Sequence, residues 1–268
     1  MYPFISLFNR IEIPVYGIVF VVAFFLAILI AIKYAPSMGL SKMDTLFGAV
    51  YAGIGILIGS KILYFITKLP FIIKHFDNYM KYLKHYPIDA LNYAFGGLVF
   101  YGGLIGALLF ILIYCRQFKL SFLTYMDVFA PLIPFVHGFG RIGCFLSGCC
   151  YGIEYNGIFS IQYPYNALIP ELNEVQRFPV QLLEALLNFL VAAILFLLMK
   201  IKKMKPGQLL GIYLLYYTFA RYFLEMLRGD IIRGKVGSFS TSQLISILLL
   251  PLAILFISGK LKQKNSKL

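Results

Sequence analysis

Residues 14–33 read P-V-Y-G-I-V-F-V-V-A-F-F-L-A-I-L-I-A-I-K, with no charged side chain before Lys33. An α-helix rises about 1.5 Å per residue, so some 20 apolar residues cover the ~30 Å hydrocarbon core of a bilayer. A membrane-spanning helix is the reading this stretch dictates. Similar runs occupy 46–66, 95–115, 122–142, 179–199, 207–227 and 239–258. In lipid every backbone polar group must be satisfied within the protein, which leaves helices or a closed barrel. The expected fold is therefore all-α, a polytopic membrane helical bundle of about seven spans forming a single domain over 1–268. The run at 122–142 holds Pro131, Pro134 and His137. It is expected inside the bundle, where neighbouring helices satisfy the carbonyls that proline frees.

Composition points the same way. Apolar residues make up 60% of the chain and charged residues 13%, whereas soluble domains carry roughly 45–50% and ~25%. The net charge of +13 raises nucleic acid as a partner, but many Lys and Arg residues sit just beyond apolar runs. That is the pattern of positive-inside anchoring against anionic headgroups, and nucleic acid is set aside. Short connections carry Lys33, Lys42, Arg116, Lys119, the group Lys200, Lys202, Lys203 and Lys205, and the tail Lys260, Lys262, Lys264 and Lys267. Their side is expected to be cytoplasmic, with the C-terminus inside and the N-terminus outside. The longer segments 67–94, 143–178 and 228–238 then face outward. Segment 67–94 alternates aromatics with Lys and His, as either an interfacial periplasmic arm or a plain amphipathic loop. No basic n-region precedes the first apolar run and no A-x-A-like site follows it, so that run is expected to be retained. No internal repeat of the transporter kind is visible.

Polar residues at membrane depth are costly and invite a functional question. In 137–152, H-G-F-G-R-I-G-C-F-L-S-G-C-C-Y-G, Gly140, Gly143 and Gly148 let backbone approach a ligand closely. Arg141 stands among them, and its planar fork of donors fits a phosphate. The alternative is a glycine-rich span end with a snorkelling arginine. In 177–184, R-F-P-V-Q-L-L-E, Gln181 and Glu184 share a helix face, either as site residues or as part of a capped helix start. In 207–227 and just beyond, Tyr213, Tyr217, Arg221, Glu225 and Arg228 form one polar stripe. Arg221 and Glu225 are spaced to pair, which suits an internal lock as well as a polar cavity. In 93–106, Gly96, Gly97, Gly102, Gly103 and Gly106 surround Tyr101, for helix packing or to make room for a lipid.

Cys144, Cys149 and Cys150 cluster in the outward segment, and Cys115 stands apart. C-x-x-x-x-C-C is no standard zinc spacing. Small core residues, a disulfide, or a metal site helped by nearby His137 all remain open.

Together these segments resemble the prolipoprotein diacylglyceryl transferase family. Residues 140–152, G-R-I-G-C-F-L-S-G-C-C-Y-G, resemble its signature G-R-I-G-N-F-I-N-G-E-L-x-G. Residues 100–106, F-Y-G-G-L-I-G, resemble its F-H-G-G-L-I-G, and 177–184 resemble its R-x-P-x-Q-L-Y-E. R-Y-F-L-E-M-L-R at 221–228 and S-T-S-Q-L-I-S at 240–246 follow in family order. The resemblance implies a multi-pass protein of the bacterial cytoplasmic membrane. It implies transfer of diacylglyceryl from phosphatidylglycerol to the lipobox cysteine thiol of a preprolipoprotein, with glycerol 1-phosphate leaving and no metal or organic cofactor. Arg141 and Arg221 match the family's two essential arginines, and Tyr101 takes the position of a His that is a candidate general base. Gly102, Gly103, Gly140, Gly143, Cys144, Gly148, Gln181, Glu184, Tyr217, Glu225 and Arg228 are the expected substrate-binding positions. The chain departs from the signature at Cys144 and Ser147, each in place of Asn, and at Cys149 in place of Glu. A phenol of ordinary pKa ~10 is a poor base at neutral pH, so Tyr101 is expected to orient substrate. The alternatives are a paralogous transferase with another donor or acceptor, and a non-enzymatic lipid-binding or transport protein.

Overall fold

The computed structural model describes residues 4–7, 11–164, 172–201, 204–230, 235–236 and 239–260. Lys202, Lys203 and the basic tail from Lys262 onward lie outside them. Ten α-helices carry the fold among these residues: α1 Val15–Tyr34, α2 Lys42–Lys74, α3 Phe76–His85, α4 Pro87–Phe95, α5 Phe100–Gln117, α6 Phe122–Phe129, α7 Leu132–Ser147, α8 Val180–Ile201, α9 Gln208–Met226 and α10 Thr241–Ile257. Every apolar run falls on helix. Among the described residues, four helical stretches are long and apolar enough to cross a membrane: Val15–Met38, Lys42–Lys74, Phe122–Ser147, which joins α6 and α7, and Val180–Ile201. Tyr101–Gln117 and Ser242–Ile257 are apolar but shorter, and α9 is made less apolar by its polar stripe.

Three differences from the expected outline have local causes. The run at 122–142 is two helices, because α6 ends at Phe129 ahead of Pro131 and α7 begins at Leu132, as a proline disfavours helix before it. The segment 67–94 begins as the last part of α2, which is about 50 Å long by its rise, and continues as α3 and α4. Three small antiparallel strand pairs accompany the helices among the described residues: β1 Phe4–Leu7 with β2 Ile11–Pro14, β3 Ile161–Gln162 with β4 Gln176–Arg177, and β5 Lys235–Val236 with β6 Phe239–Ser240. Pairs this short carry no readable period.

The chain packs as two compact units, Met1–Gly39 with Met126–Lys264, and Leu40–Tyr125. In the first, α1 packs on α7, α7 on α8, α8 on α9 and α9 on α10. Helix α1 is inside-out relative to a soluble helix. Ala23, Ala27 and Ala31, one face by their spacing, are buried, while Val21 and Phe25 are 66% and 61% exposed. Small residues inward and large apolar ones outward is the arrangement for which lipid is the outer solvent. Buried Asp127 accepts the backbone N–H groups of Gly207 at 2.7 Å and Leu210 at 2.9 Å. It satisfies orphan donors at the N-terminus of α9, where the helix dipole also favours a carboxylate.

In the second unit, α2 and α5 form the main contact. Their backbones meet at glycines. A Cβ on Gly102 would strike the carbonyl oxygen of Gly59, and one on Gly106 that of Gly55. Gly48 makes room for the hydroxyl of Tyr125, which donates to the Thr45 carbonyl at 3.0 Å.

Candidate active site

Helix α7 sets out its polar side chains from one face. His137 and Arg141 are four residues apart, so they stack on adjacent turns, and Arg141 Nε donates to His137 Nε2 at 3.2 Å. Facing them from α8 is Glu184, buried, with Oε1 2.9 Å from Arg141 Nη2 and 3.3 Å from His137 Nε2. One imidazole nitrogen can accept from Arg141 or donate to Glu184, but not both at once. Which of the two it does depends on the ring's tautomer.

Gln181, one turn before Glu184, is fully buried and spent at both ends. Its Nε2 donates to the Cys149 carbonyl at 2.9 Å, and its Oε1 accepts from Tyr163 Oη at 3.1 Å. Gln181 thus holds the turn that follows α7, while Glu184 holds Arg141. Arg177 at the head of the same motif lies over the Tyr151 ring, 4.6 Å from its centroid, and donates to the Gly152 carbonyl.

Helix α9 supplies the second arginine. Arg221 pairs with Glu225 at 2.6 Å, the expected four-residue ion pair, and donates to Ser242 Oγ of α10 at 2.9 Å. Its side chain is only 8% exposed, yet its Nη1 is a buried donor with no partner among the described residues. A buried guanidinium nitrogen left without an acceptor is costly, and it marks where an anion would be welcome. Glu184 lies within electrostatic reach of Arg221 as well as Arg141. Asn188 Oδ1, one turn beyond Glu184, and Tyr216 Oη on α9 are likewise buried without a partner. Tyr217 places its ring 6.5 Å from that of His137.

The remaining expected positions divide. Arg228 is held by a bidentate pair with Asp230, at 2.9 and 2.8 Å. Gly140 is buried, but a Cβ there would meet nothing within 4 Å. Gly143 lies tight against Tyr16. Gly148 adopts φ +75° as it ends α7. Cys144 is buried beside Cys149 and Cys150. Tyr101, Gly102 and Gly103 belong to the Leu40–Tyr125 unit, where Tyr101 is 44% exposed and Gly102 is spent on the α2 contact. His137 as an arginine partner, Ser242, Asn188 and Tyr216 were not singled out from sequence. The four-residue spacing of His137 and Arg141 was a usable signal for the first; the others depend on which way a helix turns.

The model of the family described as prolipoprotein diacylglyceryl transferase matches residues 3–258. The chain belongs to that family. It is 34% identical over 258 residues to phosphatidylglycerol–prolipoprotein diacylglyceryl transferase 2 of Clostridium perfringens, covering 95% of this chain and 94% of that protein. It is also similar to the phosphatidylglycerol–prolipoprotein diacylglyceryl transferases of Clostridium tetani, at 32% over 87% of each chain, and Rickettsia bellii, at 33% over 77% of this chain and 74% of that one. Family membership agrees with the sequence resemblance and with the membrane character of the helices.

Proposed function

We propose that this family member transfers diacylglyceryl from phosphatidylglycerol to the lipobox cysteine thiol of a preprolipoprotein. The acceptor sulfur forms a thioether with the glyceryl carbon, the carbon–oxygen bond to the phosphate breaks, glycerol 1-phosphate leaves, and the thiol gives up its proton. The leaving phosphate gathers negative charge as that bond breaks, so the reaction gains most from cations fixed beforehand in a water-poor site. The buried Nη1 of Arg221, without a partner among the described residues, is the observation that carries this reading. Arg141 is the second cation, oriented by Glu184 and His137. A guanidinium has five N–H donors, and the bonds named for Arg141 engage only part of its fork. Asn188 Oδ1 and Tyr216 Oη are a buried acceptor and a hydroxyl suited to the hydroxyls of a glycerol headgroup. Tyr101 orients substrate through its hydroxyl.

The protein acts as a multi-pass protein of the bacterial cytoplasmic membrane. Helices α1, α2, α5, the α6–α7 pair, α8, α9 and α10 make seven crossings, with the N-terminus outside and the C-terminus in the cytoplasm. The reaction is tested by incubating the purified protein with phosphatidylglycerol and a lipobox peptide, then weighing the peptide. The expected product is heavier by one diacylglyceryl group. An unchanged peptide mass with folded protein would sink the reading and favour a lipid-binding or transport role. Reporter fusions at Leu268 that read as periplasmic would reverse the orientation.

A further inference from the structure

The turn after α7 gathers three thiols. Cys144 is buried in the last turn of the helix, Cys149 and Cys150 follow it partly buried, and all three Sγ atoms lie within 4.8 Å of one another. The chain spends conformational energy to do this. Gly148 closes the helix at φ +75°, and Cys150 takes φ +59°, a left-handed conformation that few side-chain-bearing residues adopt and that signals a constrained site. The turn is braced on both sides. Cys149 donates its N–H to the Cys144 carbonyl at 3.1 Å and accepts Gln181 on its own carbonyl. Downstream, Gly229 donates to the Tyr151 carbonyl, and Ile153 to that of Leu227.

We propose that Cys144, Cys149 and Cys150 form a three-thiolate site for a closed-shell thiophilic cation of the Zn(II) or Cu(I) class. With metal–sulfur bonds of ~2.3 Å, three ligands in a trigonal or tetrahedral set stand roughly 3.8–4.0 Å apart. The thiols are already near that spacing, so closing on a cation needs side-chain rotation and no change of fold. Binding releases the thiol protons to solvent. A Zn(II) tris-thiolate carries one excess negative charge, and Arg228 and Arg141 lie within electrostatic reach of Cys150 to offset it. Cys149 and Cys150 are only partly buried, which gives a cation a way in. Thiolate donors select soft cations and disfavour Mg(II) and Ca(II). The inference does not rest on the transferase reaction, since the three sulfurs alone supply the ligands.

The test uses the full-length protein, reduced and metal-stripped in detergent, with the metals alone as probes. Addition of Zn(II) followed by desalting should leave one zinc per chain by elemental analysis. Cd(II) should give a thiolate-to-metal charge-transfer band. Zinc should shield three of the four thiols from a maleimide. Cys144→Ser, Cys149→Ser and Cys150→Ser should each weaken zinc binding at least about tenfold, while Cys115→Ser leaves it unchanged. Folded wild-type protein, checked by circular dichroism, that retains no zinc and shows no cadmium band would overturn the proposal without recourse to any variant. So would zinc retention that survives in the triple serine variant, or a disulfide among the three whose reduction still yields no metal uptake.

Discussion

Two glycine-rich segments, 96–106 leading into α5 and 138–148 along α7, look alike in the sequence and behave differently in the structure. On α5, Gly102 and Gly106 are used up by contact with Gly59 and Gly55 of α2. No ligand can take space that backbone already fills. On α7, Gly138 and Gly143 also lie against neighbours, Phe189 and Tyr16, but a Cβ on Gly140 would meet nothing within 4 Å and Gly148 supplies a left-handed helix end, while His137 and Arg141 reach Glu184. Small residues that draw two helices together and small residues that leave room for something else give the same letters. The difference lies in what stands opposite, and only the fold supplies that.

The largest expected effect comes from breaking the packing side. Gly106→Leu puts a branched side chain against the Gly55 carbonyl and the Gly59 Cα. Overpacking commonly costs about 1–3 kcal/mol and occasionally more; here the neighbours are backbone that cannot turn aside, so the α2–α5 contact cannot form around the new side chain. The variant should yield little or no monodisperse protein by size-exclusion chromatography. Normal recovery would mean that the α2–α5 contact is looser than it looks.

On the α7 side, Glu184→Gln is next. It keeps the shape but removes the charge that compensates buried Arg141. Breaking a buried pair from one side costs about 3–5 kcal/mol, seen as a lower melting temperature in detergent together with weakened turnover. A variant with unchanged stability would show that water, not Glu184, carries the charge of Arg141.

Much of this was legible beforehand, and the limits are physical. An apolar run of about 20 residues has few ways to satisfy its backbone in lipid, so each run landed on helix, and the proline-bearing one broke at Pro131. The Arg221–Glu225 pair followed from helix spacing alone. What the sequence withheld depends on turns and facing partners: the short strand pairs, the Arg141–Glu184 contact across two helices, and the gathering of three sulfurs by a positive φ at Cys150. Tyr101 is expected to orient substrate because a family His stands there, while Gly102 after it is taken up by the contact with Gly59.

Arg221→Gln should act chiefly on chemistry. It removes the donor that has no partner among the described residues and also the charge that pairs with Glu225, so a lower melting temperature accompanies the loss of activity. Losing a charge-assisted phosphate contact costs about 1.5–3 kcal/mol, a fall of roughly 10- to 150-fold in kcat/KM. The loss should appear in a peptide-lipidation assay on protein that still melts cooperatively. Intact activity would remove Arg221 from the phosphate site.

The smallest effect is the most discriminating between the two segments. Gly140→Ala adds one methyl group where nothing lies within 4 Å. A glycine inside a helix costs roughly 0.5–1 kcal/mol relative to alanine, so the melting temperature should hold or rise slightly. If the space beside Gly140 is where lipid backbone or headgroup lies, the same methyl should lower kcat/KM by a few-fold, mainly through KM, because it narrows the site without touching Arg141 or Glu184. The α5 counterpart, Gly102→Ala, should do the reverse, losing stability against the Gly59 carbonyl before any kinetic effect can be measured. Should Gly140→Ala leave both stability and kinetics unchanged, the open side of α7 is unused space, and the contrast between the two glycine segments reduces to packing alone.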